Sequence, residues 1–196
     1  MTQSSMSPKV SVFVAVSLDG YIAREDGRLD WLDAANASVP KGEDCGFADF
    51  MKTVDTLVMG RRTYEKVLTF GMWPYGETPV IVMSSRPLAF PATSEGNLSH
   101  SSETPTELLH RLHRCGVRHI YVDGADTIQR FLVAGLVDDI TTTIIPVLLG
   151  SGIRLFGTTA SDLPLKLVHS KTYEFGFVQL QYTVTRPHDS ENKTRL

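Results

Sequence analysis

The short segment that begins with the apolar run 56–59 constrains the fold of this chain more than any other feature. The run ends at Gly60, and Arg61, Arg62 and a helix-like segment opened by Thr63 follow at once. The first N–H groups of a helix point outward with partial positive charge, so they attract anions. Guanidinium groups bind phosphate through two parallel hydrogen bonds in a rigid geometry. The order of strand, glycine turn, cations and helix therefore predicts an α/β fold with a phosphate at a strand end.

Two further strand-like runs end in groups of the same kind. The apolar run 79–83 leads into Ser84, Ser85 and Arg86, and the run 117–122 leads into a glycine turn. That turn and the helix start behind it consist of Gly124, Ala125, Asp126 and Thr127. Because ligands of open α/β sheets bind at the carboxyl ends of the strands, the three junctions predict a nucleotide with several phosphates. The alternative is that the arginines form surface ion pairs, which contribute little to stability.

The remaining apolar patterns predict a mixed sheet covered by helices. Strand-like sequences occupy residues 10–16, 138–145, 165–174 and 177–185. The first is apolar almost throughout, as in a strand buried on both faces, and the last alternates, as in a half-buried antiparallel strand. Helical spacing covers residues 46–54 and about 126–135, and a capping box starts another helix at Thr104. Alternating strands and helices that end in two long strands predict an α/β fold.

Composition limits the chain to one domain and excludes several functions. With 196 residues and 42% hydrophobic content, the chain suffices for one core. Residues 9–186 are expected to form the domain, and the polar segments 1–8 and 187–196 to be flexible tails. A net charge of −3 excludes a broad basic surface for nucleic acid. The two cysteines lie far apart, which predicts reduced thiols in a cytoplasmic protein. No apolar run approaches the ~20 residues of a membrane span, and no residue spacing typical of a metal site occurs, so neither a membrane span nor a metal ion is expected.

Six motifs, in chain order, resemble the dihydrofolate reductase superfamily. They lie at residues 16–23, 58–65, 84–87, 122–125, 131–138 and 146–156. The last three narrow the resemblance to the RibD C-terminal domain family, the reductase domain of riboflavin biosynthesis. This resemblance implies a dihydrofolate reductase-like fold, with a mixed, mostly parallel central sheet, antiparallel C-terminal strands and helices on both faces. It also implies an NADPH-dependent reductase that forms a homodimer.

The resemblance assigns the three strand ends to NADPH. The first, Gly60 to Thr63, matches positions that hold the 2′-phosphate and the pyrophosphate. The second matches the loop beside the adenosine, and the third matches the glycine turn at the pyrophosphate. Two arginines on the 2′-phosphate are expected to favour NADPH over NADH by ~10²–10⁴. The family usually has two glycines where this chain has Gly124 and Ala125, so either the cofactor lies differently or Ala125 adopts an ordinary conformation.

The nicotinamide and substrate positions follow from the same resemblance. Ala15 and Ile22 match contacts to the nicotinamide, and Leu18 and Asp19 belong to a mobile loop beside it that we assign to the substrate. Trp31 is a further substrate candidate, because an indole stacks on a flat heterocycle, although it could equally pack in the core. The glycine-rich segment 150–156 fits a gate over the site and fits a plain hairpin turn as well.

A proton donor is required because a hydride alone does not complete the reduction. Dihydrofolate reductases place a carboxylate on the helix before the Met-Gly-Arg strand, and Asp44 lies in the matching region of this chain. Asp30 is the second candidate because it lies close to the mobile loop. Each could instead be a helix cap or a solvated carboxylate, and a water molecule could deliver the proton.

The resemblance leaves the substrate open. The first expectation is 5-amino-6-(5-phosphoribosylamino)uracil, whose ribose would be reduced to ribitol. Alternatives are dihydrofolate, a pterin, or another carbonyl or imine compound. A rival of another class is a sensor that binds NADPH without turnover, which would bind the cofactor but not oxidise it in the presence of a heterocycle.

Overall fold

The computed structural model describes residues 7–90 and 97–185. Its strands are β1 Lys9–Ser17, β2 Tyr21–Ala23, β3 Thr56–Gly60, β4 Val80–Met83, β5 Leu98–Ser101, β6 His119–Asp123, β7 Asp139–Ile145, β8 Ile153–Arg154, β9 Leu165–Thr172 and β10 Val178–Val184. Its helices are α1 Asp30–Asn36, α2 Phe47–Met51, α3 Arg61–Val67, α4 Pro105–Arg114 and α5 Ala125–Val133, and a short 3₁₀ helix at Leu68–Phe70 continues α3. Residues 1–6 and 187–196 of the two expected tails lie outside the described residues.

One central sheet organises the fold, in the order β5-β4-β3-β6-β1-β7-β10-β9. The pairs from β5 to β7 are parallel, whereas β10 is antiparallel to both β7 and β9. The α/β fold class with antiparallel C-terminal strands is therefore confirmed. Because β3, β4 and β6 are adjacent and parallel, the three predicted junctions end at the same edge of the sheet.

Helices cover both faces of the sheet. Alternate residues of β1 point in opposite directions, so β1 contributes side chains to the core on each face. Val10 and Val12 are fully buried in a cluster that contains Leu108 of α4 and Phe131 of α5. Phe13 points to the opposite face, where a second cluster contains residues of α2 and α3. The prediction that the whole run 10–16 is buried on both faces is wrong for its centre, because residues 13–15 are only partly buried.

The sequence predicted one helix start correctly and placed other helix bounds wrongly. Thr104 accepts a hydrogen bond from the Glu107 N–H while the Glu107 carboxylate accepts from the Thr104 N–H, so the predicted capping box is confirmed. Helix α3 begins at Arg61, two residues before the predicted start at Thr63, because Gly60 is extended and serves as the N-cap. Helix α2 is shorter than the predicted segment 46–54.

The outer strand β9 is exposed along its whole length. Its only sheet neighbour is β10, so its other edge carries backbone groups without a strand partner among the described residues. Leu165, Leu167 and Val168 are 42%, 50% and 57% exposed. None of the helices in the described ranges is long and apolar enough to cross a membrane.

Two glycines allow the starts of α3 and α5 to touch. Gly124, the N-cap of α5, has a φ of +86°, and a Cβ at this position would collide with Oγ1 of Thr63. In return, a Cβ at Gly60 would lie 2.9 Å from Oγ1 of Thr127. Thr127 is buried, so it has little room to move away. The two threonine–glycine contacts set the distance between the helix starts.

We expect Gly124→Ala to destabilise the protein more than Gly116→Ala. Both glycines have positive φ, but a Cβ at Gly116 meets no heavy atom within 4 Å. Backbone strain should therefore lower the free energy of unfolding of Gly116→Ala by only about 1–2 kcal/mol, and that of Gly124→Ala should fall further because a collision is added. Urea unfolding of both variants measures the difference.

The double variant Gly124→Ala with Thr63→Ala provides the control for that comparison. Removal of the Thr63 hydroxyl should recover part of the loss, which a double-mutant cycle reports as a non-zero coupling free energy. Equal destabilisation by Gly124→Ala and Gly116→Ala would contradict the close contact.

Candidate active site

A cavity of about 1030 Å³ opens at the carboxyl ends of the central strands. Its floor is formed by side chains of β1, β6 and β7, namely Phe13, Ala15, Tyr121, Asp123 and Thr143. Residues of α3 form one wall, and residues of the segment 25–47 form the opposite wall. A cavity of this size at the carboxyl edge of a parallel sheet is the expected place for a ligand.

Five of the predicted site residues line this cavity. They are Ala15, Ile22, Asp44, Arg62 and Thr63. Ala15 lies on β1 and Ile22 on β2, whereas Arg62 and Thr63 lie in the first turn of α3. The structure thus brings the predicted nicotinamide contacts and part of the predicted phosphate contacts to one cavity.

Arg61 connects two strand ends through its guanidinium group. Its Nε donates to Oγ of Ser84 at 3.1 Å, and its Nη2 donates to the carbonyl oxygens of Arg86 at 3.0 Å and Pro87 at 3.1 Å. Only Nη1 remains, and it lies 3.9 Å from a carboxylate oxygen of Glu65. The main contacts of Arg61 therefore hold the loop 84–87 against the start of α3.

Arg62 is much less engaged than Arg61. Its side chain is 88% exposed, and its nearest ionic partner is Asp126 at 3.8 Å. Ser85 and Arg86, in the loop that Arg61 holds, are exposed as well. An exposed pair at this distance contributes little, so Arg62 can exchange it for a bound anion.

The glycine turn before α5 resolves the two alternatives for Ala125. Gly124 takes the positive φ, and Ala125 is the first residue of the helix, where an ordinary helical conformation suffices. No side chain caps the start of α5, so its first N–H groups have no side-chain acceptor. Asp126 is exposed, and Thr127 packs beside Gly60.

The two carboxylates considered as proton donors both accept hydrogen bonds from other groups of the chain. Asp44 accepts hydrogen bonds from the N–H groups of Gly46 at 2.9 Å and Ala48 at 2.8 Å, which is the cap alternative. Asp30 accepts two bonds from Nε of Arg24, at 2.8 and 3.0 Å. This hydrogen bond lowers the pKa of Asp30, so its side chain is ionised at neutral pH. The lowered pKa of Asp30 makes it a poor proton donor.

Asp123 is a carboxylate that the sequence analysis did not single out. It lies at the end of β6, lines the cavity, and accepts hydrogen bonds from the hydroxyl of Tyr75 at 3.3 Å and the N–H of Gly124 at 2.8 Å. Loss of hydration raises the pKa of Asp123, and the hydrogen bonds offset this only in part. An acidic residue directly after the buried run 120–122 was the signal that could have identified it.

Leu18 and Asp19, assigned to the substrate by resemblance, lie in a loop that is tied to another loop. Asp19 accepts hydrogen bonds from the hydroxyl of Ser17 at 2.6 Å and from the N–H groups of Leu149 at 3.1 Å and Gly150 at 2.7 Å. The Ser17 bond is the largest of the effects that lower the pKa of Asp19 to about 2. Leu18 is 63% exposed. Neither residue lines the cavity, so Asp19 acts here as a connection between loops.

The structure distinguishes the alternatives left open for Trp31 and for the segment 150–156. Trp31 is 5% exposed and packs with Ile145 and Phe177, so its indole is a core side chain. The segment 150–156 contains β8, which pairs with β2 in a two-stranded sheet. Ile22 and Ala23 of β2 and Ile153 of β8 line the cavity. The segment is therefore part of a wall, and not a simple hairpin turn.

Comparison with known proteins gives matches over nearly the whole chain. The family model for the RibD C-terminal domain matches residues 8–179. The uncharacterized protein YwjB of Bacillus subtilis (strain 168) is 37% identical over 182 residues, which cover 90% of this chain and 98% of YwjB. A candidate riboflavin biosynthesis protein of Shewanella sp. PV-4 is 37% identical, with a TM-score of 0.82 over 92% of this chain and 100% of that protein.

More distant structures share the fold. The diaminohydroxyphosphoribosylaminopyrimidine deaminase/5-amino-6-(5-phosphoribosylamino)uracil reductase of Thermotoga maritima is 16% identical, with a TM-score of 0.66, and the match covers 91% of this chain and 57% of that protein. Dihydrofolate reductase of Enterococcus faecalis, solved with NADP(H), is 17% identical, with a TM-score of 0.59 over 91% of this chain and 97% of that enzyme.

We expect Asp19→Asn to loosen the loop that contains Leu149 and Gly150. The ionised carboxylate of Asp19 stabilises the folded loop fully above its ordinary pKa of 3.8, and this stabilisation is lost as the pH falls through its lowered pKa of about 2. In the wild-type protein, the amide proton shifts of Leu149 and Gly150 should titrate near pH 2, and this step should be absent from the variant. At neutral pH, hydrogen exchange at both amides should be faster in the variant.

Asp33→Asn is the matched control because it removes the same charge from an exposed residue of α1. It should leave both amides unchanged. Unchanged exchange in Asp19→Asn would show that the three hydrogen bonds do not hold the loop.

Proposed function

The chain belongs to the RibD C-terminal domain family, and on that premise we propose that it is an NADPH-dependent reductase of a small heterocyclic compound. The observation that carries the proposal is the composition of the cavity. One end has an exposed arginine, the uncapped start of α5 lies beside it in contact with Thr63, and the floor has a carboxyl group whose pKa is raised. Phosphate groups bind to cations and to free N–H groups at a helix start. Reduction of a C=N or C=O bond requires a proton, which the carboxyl group can supply.

The residues at the phosphate end fit a dinucleotide with a 2′-phosphate. The first N–H groups of α5 suit a pyrophosphate, and Gly124 allows close approach because it has no Cβ. Arg62 and Arg86 are exposed and would bind the 2′-phosphate, while Arg61 would hold the loop that carries Arg86. The dihydrofolate reductase of E. faecalis shares this fold and was solved with NADP(H), which supports the same cofactor here.

The chemical role of the chain is to hold the substrate and to supply a proton. When bound, NADPH supplies a hydride. Ala15 and Ile22 would orient the nicotinamide against the floor of the cavity. Asp123, in its protonated form, would donate its proton to the nitrogen or oxygen of the bond that is reduced. The hydroxyl of Tyr75, which donates to Oδ2 of Asp123, would hold the carboxyl group in place.

Two substrates and one non-catalytic function are to be compared. The name of the Thermotoga maritima protein supports 5-amino-6-(5-phosphoribosylamino)uracil as the first compound to test. The fold shared with dihydrofolate reductase supports dihydrofolate or a pterin as the second. Binding of NADPH without oxidation across a panel of heterocycles would favour a sensor over an enzyme.

We propose further that the protein is a homodimer in which a second copy covers β9. The exposed apolar side chains of β9 and its unpaired edge support this surface, because natural proteins seldom leave such an edge uncovered. Sedimentation equilibrium tests the assembly, and a monomer over the whole accessible concentration range would exclude it.

We expect NADPH to be strongly preferred over NADH. Charge-assisted hydrogen bonds contribute about 1.5–3 kcal/mol, so Arg62→Ala and Arg86→Ala should each reduce the preference, measured as the ratio of kcat/KM values, by about 10- to 100-fold. Arg130→Ala, which removes a cation from the last turn of α5, should leave the ratio unchanged. Equal use of both cofactors by the wild-type protein would remove the main support for the phosphate assignments.

We expect Asp123→Asn to reduce turnover by about 10²–10⁴ while NADPH still binds, because an amide cannot donate the proton. The wild-type rate should fall as the pH rises through the raised pKa of Asp123, and this decline should be absent from the variant. Asp44→Asn should have a much smaller effect because asparagine also caps helices. A variant with Asp123→Asn that keeps full turnover would assign the proton to another group or to water.

A further inference from the structure

The groups that can bind an anion are concentrated at one end of the cavity. Arg62 lines this end, and the uncapped start of α5 lies beside it in contact with Thr63. These groups are the ones that the proposed function assigns to the phosphates of the cofactor. The opposite end, formed by the segment 25–47, is where the substrate would lie.

Backbone donors at the substrate end are already bound by the chain's own carboxylates. Asp44 accepts from the N–H groups of Gly46 and Ala48, and Glu43 accepts from the N–H of Cys45 at 2.7 Å. The start of α1 has no side-chain cap, but its first turn carries two acidic residues, Asp30 and Asp33, which repel an anion. A phosphate that approached these N–H groups would have to displace a carboxylate, which is also negatively charged.

Three cations near the segment 25–47 are paired with carboxylates of that segment. Arg24 binds Asp30 and Arg28 binds Asp26, at 2.8 and 2.6 Å, and neither arginine lines the cavity. Within the described ranges, Lys66 of α3 is the one cation besides Arg62 that lines it. Four acidic side chains line the substrate wall, namely Glu25, Asp26, Glu43 and Asp44. Arg28 pairs with Asp26, and Nζ of Lys171 lies 4.0 Å from Glu43, so of these four described side chains Glu25 and Asp44 are the two without an ion pair.

The rest of the substrate end is apolar. Leu32, Val39, Phe47 and Phe177 line it. Flat apolar and aromatic side chains bind the face of a planar ring well, whereas a phosphate monoester carries −1.5 to −2 charges and needs several cationic or N–H donors. A wall with acidic side chains and few free donors therefore discriminates against anionic groups by repulsion.

From this division we infer that the substrate is a planar heterocycle with no phosphate and no net negative charge. The inference rests on the proposed function, because it assigns the other end of the cavity to NADPH. It selects an unphosphorylated aminopyrimidine or a free pterin over a phosphoribosyl compound, and it disfavours dihydrofolate, whose glutamate tail is anionic.

Matched pairs of compounds test the inference in the wild-type protein. One pair is 5-amino-6-(ribosylamino)uracil and its 5′-phosphate, and the other is 7,8-dihydropterin and 7,8-dihydrofolate. Calorimetry first measures NADPH binding alone, and then the binding of each compound to the NADP⁺ complex, while kcat/KM is measured with NADPH. The uncharged member of each pair should bind about tenfold or more tightly and be reduced more efficiently.

Glu43→Gln separates charge from shape. The amide oxygen can still accept from the N–H of Cys45, but the negative charge is gone, so the difference within each pair should shrink. Glu77→Gln removes the same charge from an exposed loop residue that does not line the cavity, and it should leave the difference unchanged.

The outcomes distinguish the inference from the proposed function. Absence of NADPH binding would overturn the proposed function, and the inference with it. Normal NADPH binding with equal or tighter binding of the anionic members would overturn the inference alone. So would failure of both members of both pairs to bind, or an unchanged difference in Glu43→Gln.

Discussion

The close approach of two helix starts is the constraint on which the rest of the site depends. Thr63 occupies the space where Gly124 lacks a Cβ, and Thr127 lies beside Gly60 in the same way. The contact brings the uncapped start of α5 next to the turn of α3 that carries the arginines. A larger side chain at either glycine would separate the helices and divide the phosphate end into two unrelated surfaces. The cavity wall made by α3 would move with it.

Much of this fold was accessible from the sequence because its signals are local. A buried parallel strand is a short apolar run, and the capping box at Thr104 is a fixed spacing of two residue types. Strand β5, with the sequence Leu-Ser-His-Ser, has no such signal, since its place in the sheet comes from pairing with β4. Helix α1 is seven residues long and has no side-chain cap, so its start carried no local mark either.

The roles of individual side chains were less accessible, because they depend on neighbours that are distant in sequence. Arg61 and Arg62 are adjacent and chemically identical, yet one holds the loop 84–87 and the other is exposed. The direction of each side chain from the first turn of α3 makes this difference, and a motif does not record it. The same holds for Trp31, whose burial follows from contacts with residues of β7 and of the segment before β10.

Two aspartates near the cavity show why residue type alone does not assign chemistry. Asp19 and Asp123 both accept hydrogen bonds from a side-chain hydroxyl and from backbone N–H groups. Hydrogen bonds dominate at Asp19 and lower its pKa, whereas loss of hydration dominates at Asp123 and raises its pKa. The first residue is therefore a permanent anion suited to holding two loops together. The second lies at the floor of the cavity, where loss of hydration favours its protonated form.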